Sequence, residues 1–478
     1  MEPKKKSSAL TAGIGYTIGN ILIKGINILT LPLFSRMMTT DEFGVYNVFV
    51  SYDAILCVIV GLALHTSIRS ANLEFKGQID RYTSSVTLIY LAIAGLMAAV
   101  VALFGDVLSP ILGFNRLVLY LLILFSTASA FLVLYNTRIS LDYSYKQYLL
   151  VAGINSLANI ALSLVLILTA FRNQRDLGRI LGVTVVAVAL AACILVGMYR
   201  KARPQYNKRY WLFGLKYSLP IVPHGVSQVL LAQFDRIMIR SMVSNAAAGI
   251  YSLAGNIKLI LTVITASISS AWSTWFFGEM DKKNYASIRQ RATQLCALFT
   301  ILTVGVLALS PELVFILGGE AYNRAKYVAI PMVLDAFVLF LYDMVASGEY
   351  YAKKTVYIML GTMVAAVLNV VLNYIFILKY GFVAAAYTTL ASYIFYLVLH
   401  LFISRKFVGF CIVPVKWMLA FSAIVTVMAA ANLFLLDSLL LRWGLCALVV
   451  IPMALLLLRS IGGVGTLLNR KNGKENNQ

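Results

Sequence analysis

Lys24, Asp53, Asp235, Arg236, Lys258, Asp335 and Asp343 are ionisable residues set inside runs of about 20 apolar residues, the length of a membrane span. A charge at the bilayer centre costs about 2.5–3.5 kcal/mol on insertion scales, so lipid exposure of all of them is untenable. Their types and positions point to a polar path through a helix bundle. The chemistry open to such a set is binding: cations can hold an anion, carboxylates can hold a proton or metal cation, and opposite charges can neutralise each other.

Three stripes organise these residues. On the first apolar run Gly13, Thr17, Asn20, Lys24 and Asn27 recur at three- and four-residue steps, which on a helix makes one polar face around a cation. Pro32 loosens its outer end. On the seventh run His224, Gln228 and Asp235 share a face with Arg236 beside it, and Pro220 and Pro223 favour a bend. Lys258, Thr262, Thr265 and Ser269 form a third stripe on the eighth. The three runs are expected to line one cavity. The structural alternative is that Lys24 and Lys258 pair with Asp53 or Asp343 while the hydroxyls bond across helices.

Asp235 can hold Arg236 in place. Asp335 and Asp343, about two turns apart on the tenth run, suit a coupling ion or a cationic partner, and Asp53 shares those roles. Of the three histidines, His65, His224 and His400, only His224 lies on a polar stripe, so the other two read as packing groups. Cys57, Cys193, Cys296, Cys411 and Cys446 are isolated, with no metal-ligand or redox spacing. Neither a metal site nor a catalytic residue is expected.

The elements that must position these residues are helices. With 60% hydrophobic residues and a mean hydropathy of +0.84, the chain lies far outside the soluble range. Apolar runs near 9–35, 44–68, 83–104, 117–137, 147–171, 178–199, 212–239, 246–276, 292–310, 327–348, 355–377, 381–403, 413–436 and 440–458 predict an all-α polytopic membrane protein of about fourteen helices. No cleavable signal is expected, since the first apolar run is too long and no small-residue cleavage site interrupts it.

The net charge of +21 does not signal nucleic acid, because the Lys and Arg residues recur in alternate loops rather than on one face. Lys4–Lys6, Arg69, Lys76, Arg81, Arg138, Lys146, the cluster from Arg200 to Arg209, Lys282, Lys283, Lys353, Lys354, Arg405 and Lys406 fall on one side, which puts both termini in the cytoplasm. The fifth gap, Arg172 to Arg179, is the exception, with three Arg against one Asp on the outer side.

The longest cytoplasmic loop, about residues 200–211, is expected to be a hinge-like linker between halves. Gly44-Val45-Tyr46 and Gly249-Ile250-Tyr251 stand about 205 residues apart, and Asn159–Leu168 resembles Asn369–Leu378 at nearly the same offset. Gly178 and Gly381 open the sixth and twelfth spans in the same way. The expected organisation is therefore residues 1–203 and 204–406 as two six-helix bundles, with two further helices and a basic tail at 407–478. No nucleotide-cradling Gly-rich loop followed by Lys-Ser or Lys-Thr is present, and no long outer loop is available for bond-making chemistry. A transporter rather than an enzyme is expected.

Several segments resemble the Wzx-type polysaccharide-biosynthesis flippases of the multidrug/oligosaccharidyl-lipid/polysaccharide (MOP) exporter superfamily. They are Pro32–Arg36 with Thr39–Tyr46, Tyr217–Pro223, Asp235-Arg236 with Ala248–Ser252, and the run from Ala365 through Asn369, Asn373 and Gly381 to Ala386. The resemblance covers nearly the whole chain. It implies a V-shaped, MATE-like pair of bundles, alternating access, and export of a polyprenyl-diphosphate-linked oligosaccharide for capsule, exopolysaccharide or O-antigen. On that reading Lys24, Arg236 and Lys258 contact the diphosphate, and Asn20, Asn27 and Gln228 belong to the polar wall for the sugars. In the related peptidoglycan-precursor flippases cationic residues of the first and eighth spans line the cavity. Lys24 and Lys258 occupy comparable spans, with Lys where Arg is usual, which weakens bidentate grip on a diphosphate.

The expected location is the bacterial cytoplasmic membrane, with membrane lipids, a glycan polymerase and export machinery as further partners. No cofactor is expected beyond coupling to an H+ or Na+ gradient, with membrane potential and downstream polymerisation as other drives. The competing functions are a MATE-like multidrug antiporter and a non-transporting membrane scaffold for glycan assembly enzymes.

Overall fold

The computed structural model describes residues 9–475; within that range the side chains of residues 9–14, 16–18, 20, 21, 23, 24, 27 and 461–475 lie outside the described residues, and with them Gly13, Thr17, Asn20, Lys24 and Asn27 of the first stripe. The described chain is helical throughout. It forms two compact units, one up to Ser252 and the other from Leu253. The first holds α1 (Ala9–Met37), α2 (Thr40–Gly61), α3 (Ile68–Glu74), α4 (Ile79–Leu112), α5 (Arg116–Ser140), α6 (Tyr145–Leu168), α7 (Arg175–Lys201), α8 (Lys208–Ser218), α9 (Val222–Met242) and the opening turns of α10 (Asn245–Asp281). The second holds the rest of α10 with α11 (Tyr285–Gly318), α12 (Ala325–Tyr351), α13 (Thr355–Tyr380), α14 (Val383–Val408), α15 (Val415–Phe434) and α16 (Leu439–Glu475).

Twelve of the described helices are long and apolar enough to cross a membrane. Of the two other expected spans, the first is α1 and the seventh is built from two helices, α8 and α9. A short 3-10 turn at Leu219–Ile221 joins them. The cause is the expected one: Pro220 and Pro223 lack the amide hydrogens that a continuous helix needs.

The second span departs from expectation. It was expected to run to residue 68, but α2 stops at Gly61, where Leu62 (φ 43°) and Ala63 (φ 51°) turn left-handed. Such non-glycine residues cost roughly 1–2 kcal/mol each. Burial of Leu64 and Ile68 and a 2.6 Å hydrogen bond between the Ser67 and Tyr82 hydroxyls offset that cost.

Residues 200–211, expected as a hinge, are pinned to the first unit. The ring of Phe75 meets those of Tyr210, Phe213 and Tyr82 at centroid distances of 4.8, 5.1 and 5.6 Å. The Trp211 indole donates to the Ser85 carbonyl at 3.1 Å, the Ser85 hydroxyl donates to the Gln205 carbonyl at 2.6 Å, and Arg209 pairs with Glu74 at 3.0 Å. Packing therefore assigns α8, α9 and the start of α10 to the first unit.

The arginines of the fifth gap have structural partners. The Arg179 guanidinium is buried 3.7 Å above the Phe34 ring, with the Tyr46 ring at 5.1 Å. Arg175 donates from its backbone amide to Glu42 at 3.0 Å and from its side chain to the Met37 carbonyl. Arg175 and Arg179 of α7 thus tie the end of α1 to the start of α2.

The two Gly-x-Tyr motifs meet in space. Thr39 caps α2 by accepting the Glu42 amide at 3.1 Å; Ser244, the residue about 205 positions on, accepts the Ala247 amide at 3.1 Å at the start of α10. The two helix starts then cross on their glycines. A Cβ on Gly44 would collide with the Asn245 carbonyl, and one on Gly249 would collide with the Thr40 carbonyl. Each backbone thus rests on the position equivalent to its own partner, the mark of a local two-fold relation. Asn245 also donates to Asp41 at 3.2 Å and accepts from Arg240 at 2.7 Å.

A methyl group at this crossing is therefore expected to be costly. Gly44→Ala should destabilise the folded protein by about 1–3 kcal/mol. Gly95→Ala, where a Cβ meets nothing within 4 Å, should be neutral or mildly stabilising. Thermal unfolding of the two variants in detergent, read as loss of monodisperse protein, separates these outcomes. Equal melting points would contradict the packing argument.

Candidate functional site

The polar residues of the first unit gather on α9 and α2. Tyr251 at the start of α10 donates to the buried Asp235 carboxylate at 2.5 Å. The adjacent Arg236 is half-buried and donates to the amide oxygen of Gln233. Among the described residues Arg236 forms no ion pair, so a positive charge within a membrane helix is held by a neutral group. Gln228, on the face that carries Asp235, is exposed. The stripe on α9 is thus covered near its C-terminal end and open one to two turns earlier.

Asp53 on α2 points toward α5. The Ser129 hydroxyl donates to its Oδ2 at 3.4 Å, while Oδ1 is buried without a hydrogen-bond partner. Lys24, Asn20 and Asn27 lie outside the described residues as far as their side chains are concerned. On α1 the described positions Gly15 and Gly19 face Tyr145 and Leu149 of α6.

In the second unit Lys258 of α10 meets Asp335 of α12 at 2.6 Å, with side-chain exposures of 18% and 2%. The Lys258 ammonium also lies 5.0 Å from the centre of the Tyr393 ring on α14. The pairing considered from sequence was with Asp53 or Asp343; the partner found is Asp335. Asp343, two turns along α12, is half-buried and its Oδ2 has no hydrogen-bond partner. Two hydroxyls of the third stripe turn inward on their own helix: Thr262 donates to the Leu259 carbonyl at 2.9 Å and Thr265 to the Leu261 carbonyl at 3.0 Å. That back-bonding explains how α10 carries them at little cost.

Other groups came from no stripe. Asn369 donates to Thr389 at 2.9 Å, Asn373 to Asn369 at 3.2 Å, and Thr388 to Asn373, so a buried amide and hydroxyl chain joins α13 to α14. Asn369 and Asn373 belong to a segment singled out by resemblance, whereas Thr388 and Thr389 carried no separate signal. Near the Lys201 end of α7, Arg138 bridges Asp80 at 2.7 Å and Asp142 at 2.9 Å, and Lys201 joins Asp80 at 2.5 Å. These four residues border a polar pocket of about 320 Å³. Among the described residues no group of His, Cys, Asp and Glu could hold a metal ion.

Known proteins bear on this arrangement. The family model described as "Polysaccharide biosynthesis protein" matches residues 10–273. A Haloferax volcanii protein described as a probable low-salt glycan biosynthesis flippase, Agl15, is 22% identical over 84% of this chain and 86% of its own length. A Haemophilus influenzae protein described only as an uncharacterised membrane protein is 24% identical over 71% of this chain and 83% of its own. Among solved structures, the lipid II flippase MurJ in an inward closed conformation superposes with a TM-score of 0.75 at 16% identity, covering 94% of this chain and 99% of MurJ. An inward-facing multidrug resistance MATE transporter of the MOP superfamily gives 0.57 at 14% identity, covering 82% and 94%. At these identities the structural likeness speaks for the fold.

The Lys258–Asp335 pair makes a sharp energetic expectation. Asp335→Asn should cost about 3–5 kcal/mol of stability, because it leaves a buried ammonium without its counter-charge. Replacing both partners, as Lys258→Met with Asp335→Leu, should recover most of that loss. Thermal unfolding of the single and double variants in detergent reads the coupling directly. Additive losses would remove the pair from the account of the site.

Proposed function

We infer, from the premise that this chain belongs to the polysaccharide biosynthesis protein family, that it moves a polyprenyl-diphosphate-linked oligosaccharide from the cytoplasmic to the outer leaflet. The chain is a multi-pass membrane protein with the fold of MOP-superfamily transporters, and its family and glycan-flippase relative favour a lipid-linked glycan as cargo. The observation that carries the finer reading is Arg236. A guanidinium held inside a membrane helix by a neutral amide keeps its charge available to an anion, and its planar fork suits phosphate oxygens.

The proposed division of labour follows from charge and polarity. Arg236 grips the diphosphate together with Lys24. Lys258, which is paired with Asp335, is a further proposed contact for phosphate. Asn20, Asn27 and Gln228 offer hydrogen bonds to sugar hydroxyls, and the polyprenyl tail stays in the bilayer. Alternating access carries the headgroup across in the bacterial cytoplasmic membrane, with both termini on the cytoplasmic side. Capsule, exopolysaccharide or O-antigen assembly, with a polymerase and export machinery downstream, would consume the product. Multidrug antiport is the weaker reading, because a cationic drug calls for a carboxylate-lined path and the polar stripes carry Lys24, Arg236 and Lys258.

Cells lacking the protein are expected to accumulate one polyprenyl-linked repeat unit, seen by mass spectrometry of their lipid extracts. Complementation with Arg236→Gln or Lys24→Gln should restore transport at least tenfold less well than wild type, at equal protein level in the membrane. That factor corresponds to about 1.4 kcal/mol of lost interaction with the diphosphate. Full complementation by both variants would remove these cations from the substrate path. An absence of accumulated lipid-linked glycan together with loss of dye efflux would instead support the drug antiporter.

A further inference from the structure

A second set of titratable groups lies within the second unit, away from the Lys258–Asp335 pair. His400 of α14 and Glu349 of α12 approach to 2.7 Å between Nδ1 and Oε1, and both side chains are 0% exposed. Glu349 Oε2 and His400 Nε2 have no hydrogen-bond partner among the described residues. The imidazole fits because α13 carries glycine opposite it: a Cβ on Gly361 would collide with Nε2. Tyr396 of α14 and Tyr342 of α12 wall the pair, with ring centroids 4.6 and 5.2 Å from the imidazole. Their hydroxyls are joined at 2.7 Å, and the Tyr396 hydroxyl meets that of Thr362 on α13 at 2.7 Å.

The groups that face the pair from the packed elements are thus Tyr342 and Tyr350 from α12 and Tyr396 from α14, with Thr362 of α13 behind Tyr396 and Asp343 of α12 behind Tyr350. Among the described residues no arginine or lysine side chain pairs with either side chain, the Lys354 backbone amide bonding only to the Glu349 carbonyl. The charge count follows. With one shared proton the pair is neutral, whether as carboxylate and imidazolium or as carboxylic acid and imidazole. Without it, a net negative charge is left among apolar and tyrosyl side chains, at a cost of several kcal/mol. Both side chains are sealed from solvent, so burial weighs against the charged form of the pair. Nor is the pair needed to hold α12 to α14, since Tyr342–Tyr396 and the 3.1 Å bond from the Ser404 hydroxyl to the Val345 carbonyl already do so.

We propose that His400 and Glu349 form a proton-binding site, occupied in the conformation described, whose proton is the coupling ion of transport. The role as a coupling site rests on the flippase reading above; the binding of the proton does not. When the second unit rearranges to admit water, the proton passes from the pair to water and leaves it with a charge of −1. Rebinding a proton from the other side restores neutrality and permits the pair to be buried again.

The proton itself is read on the full-length protein in nanodiscs without any substrate. The chain has three histidines, so 15N-histidine labelling gives a short spectrum in which His400 is assigned by its loss in His400→Gln. At pH 8 wild type should show either a doubly protonated His400 ring or an infrared carboxylic-acid band that disappears in Glu349→Gln. A singly protonated ring with no such band overturns the proposal. Coupling is read in vesicles with an imposed pH gradient, using a fluorescent short-chain polyprenyl diphosphate carrying one sugar.

Wild type should move this probe at least fivefold faster with the gradient than without it. Glu349→Gln and His400→Gln should lose that acceleration while keeping the rate seen without a gradient. A purely structural pair would depress both rates together, and an intact gradient response in both variants would overturn the coupling role. If wild type moves no probe in either condition, the flippase reading falls and the coupling role with it, while the spectroscopic result still decides whether the pair binds a proton.

Discussion

The cost of an unneutralised charge or unpaired polar atom inside hydrocarbon governs this structure more than any single packed contact. The helices satisfy most of their backbone groups internally, and many of their polar side chains find partners across helices. Lys258 finds Asp335, Asp235 finds Tyr251, Glu349 finds His400, and the Asn369–Thr389 chain closes on itself. On α10 the Thr262 and Thr265 hydroxyls bond backward to carbonyls of their own helix.

Against that background the groups left over carry the information. Arg236 keeps its charge with only an amide as partner, and Asp53 and Asp343 each bury an oxygen without one. A chain selected only to sit in a bilayer has no need of such residues. They are intelligible if a charged cargo or a proton supplies the missing partner for part of a cycle. The His400–Glu349 pair follows the same logic in a sealed form, with the proton already in place.

Glycine sets how closely the elements that carry these groups can approach. At Gly44 and Gly249 two helix starts cross backbone to backbone, each capped by its own hydroxyl residue, Thr39 and Ser244. The crossing brings Tyr251 within reach of Asp235, one motif thereby positioning the other's polar stripe. At Gly361 the missing side chain is the space that His400 fills. The same residue type does structural service in one place and makes room for chemistry in another.

Sequence alone determined the helical class, the existence and order of the spans though not all their ends, the proline break between α8 and α9, and the 205-residue kinship of the two Gly-x-Tyr motifs. These are properties of local composition and period: hydrocarbon demands about 20 apolar residues, and proline lacks an amide hydrogen wherever it stands. It also found the ionisable residues, because charge is conspicuous in an apolar run. Partnership was beyond it. Lys258 could have paired with any of several aspartates, His400 looked solitary because Glu349 lies 51 residues away, and the arginines of the fifth gap stood as an exception to the charge pattern, with nothing to show that Phe34, Tyr46 and Glu42 lie around Arg175 and Arg179. The left-handed end of α2 was hidden for the same reason. Which residues meet is decided by how helices cross, and that depends on packing between segments far apart in the chain, so only the tertiary structure could separate the charges that are neutralised from those that remain for function.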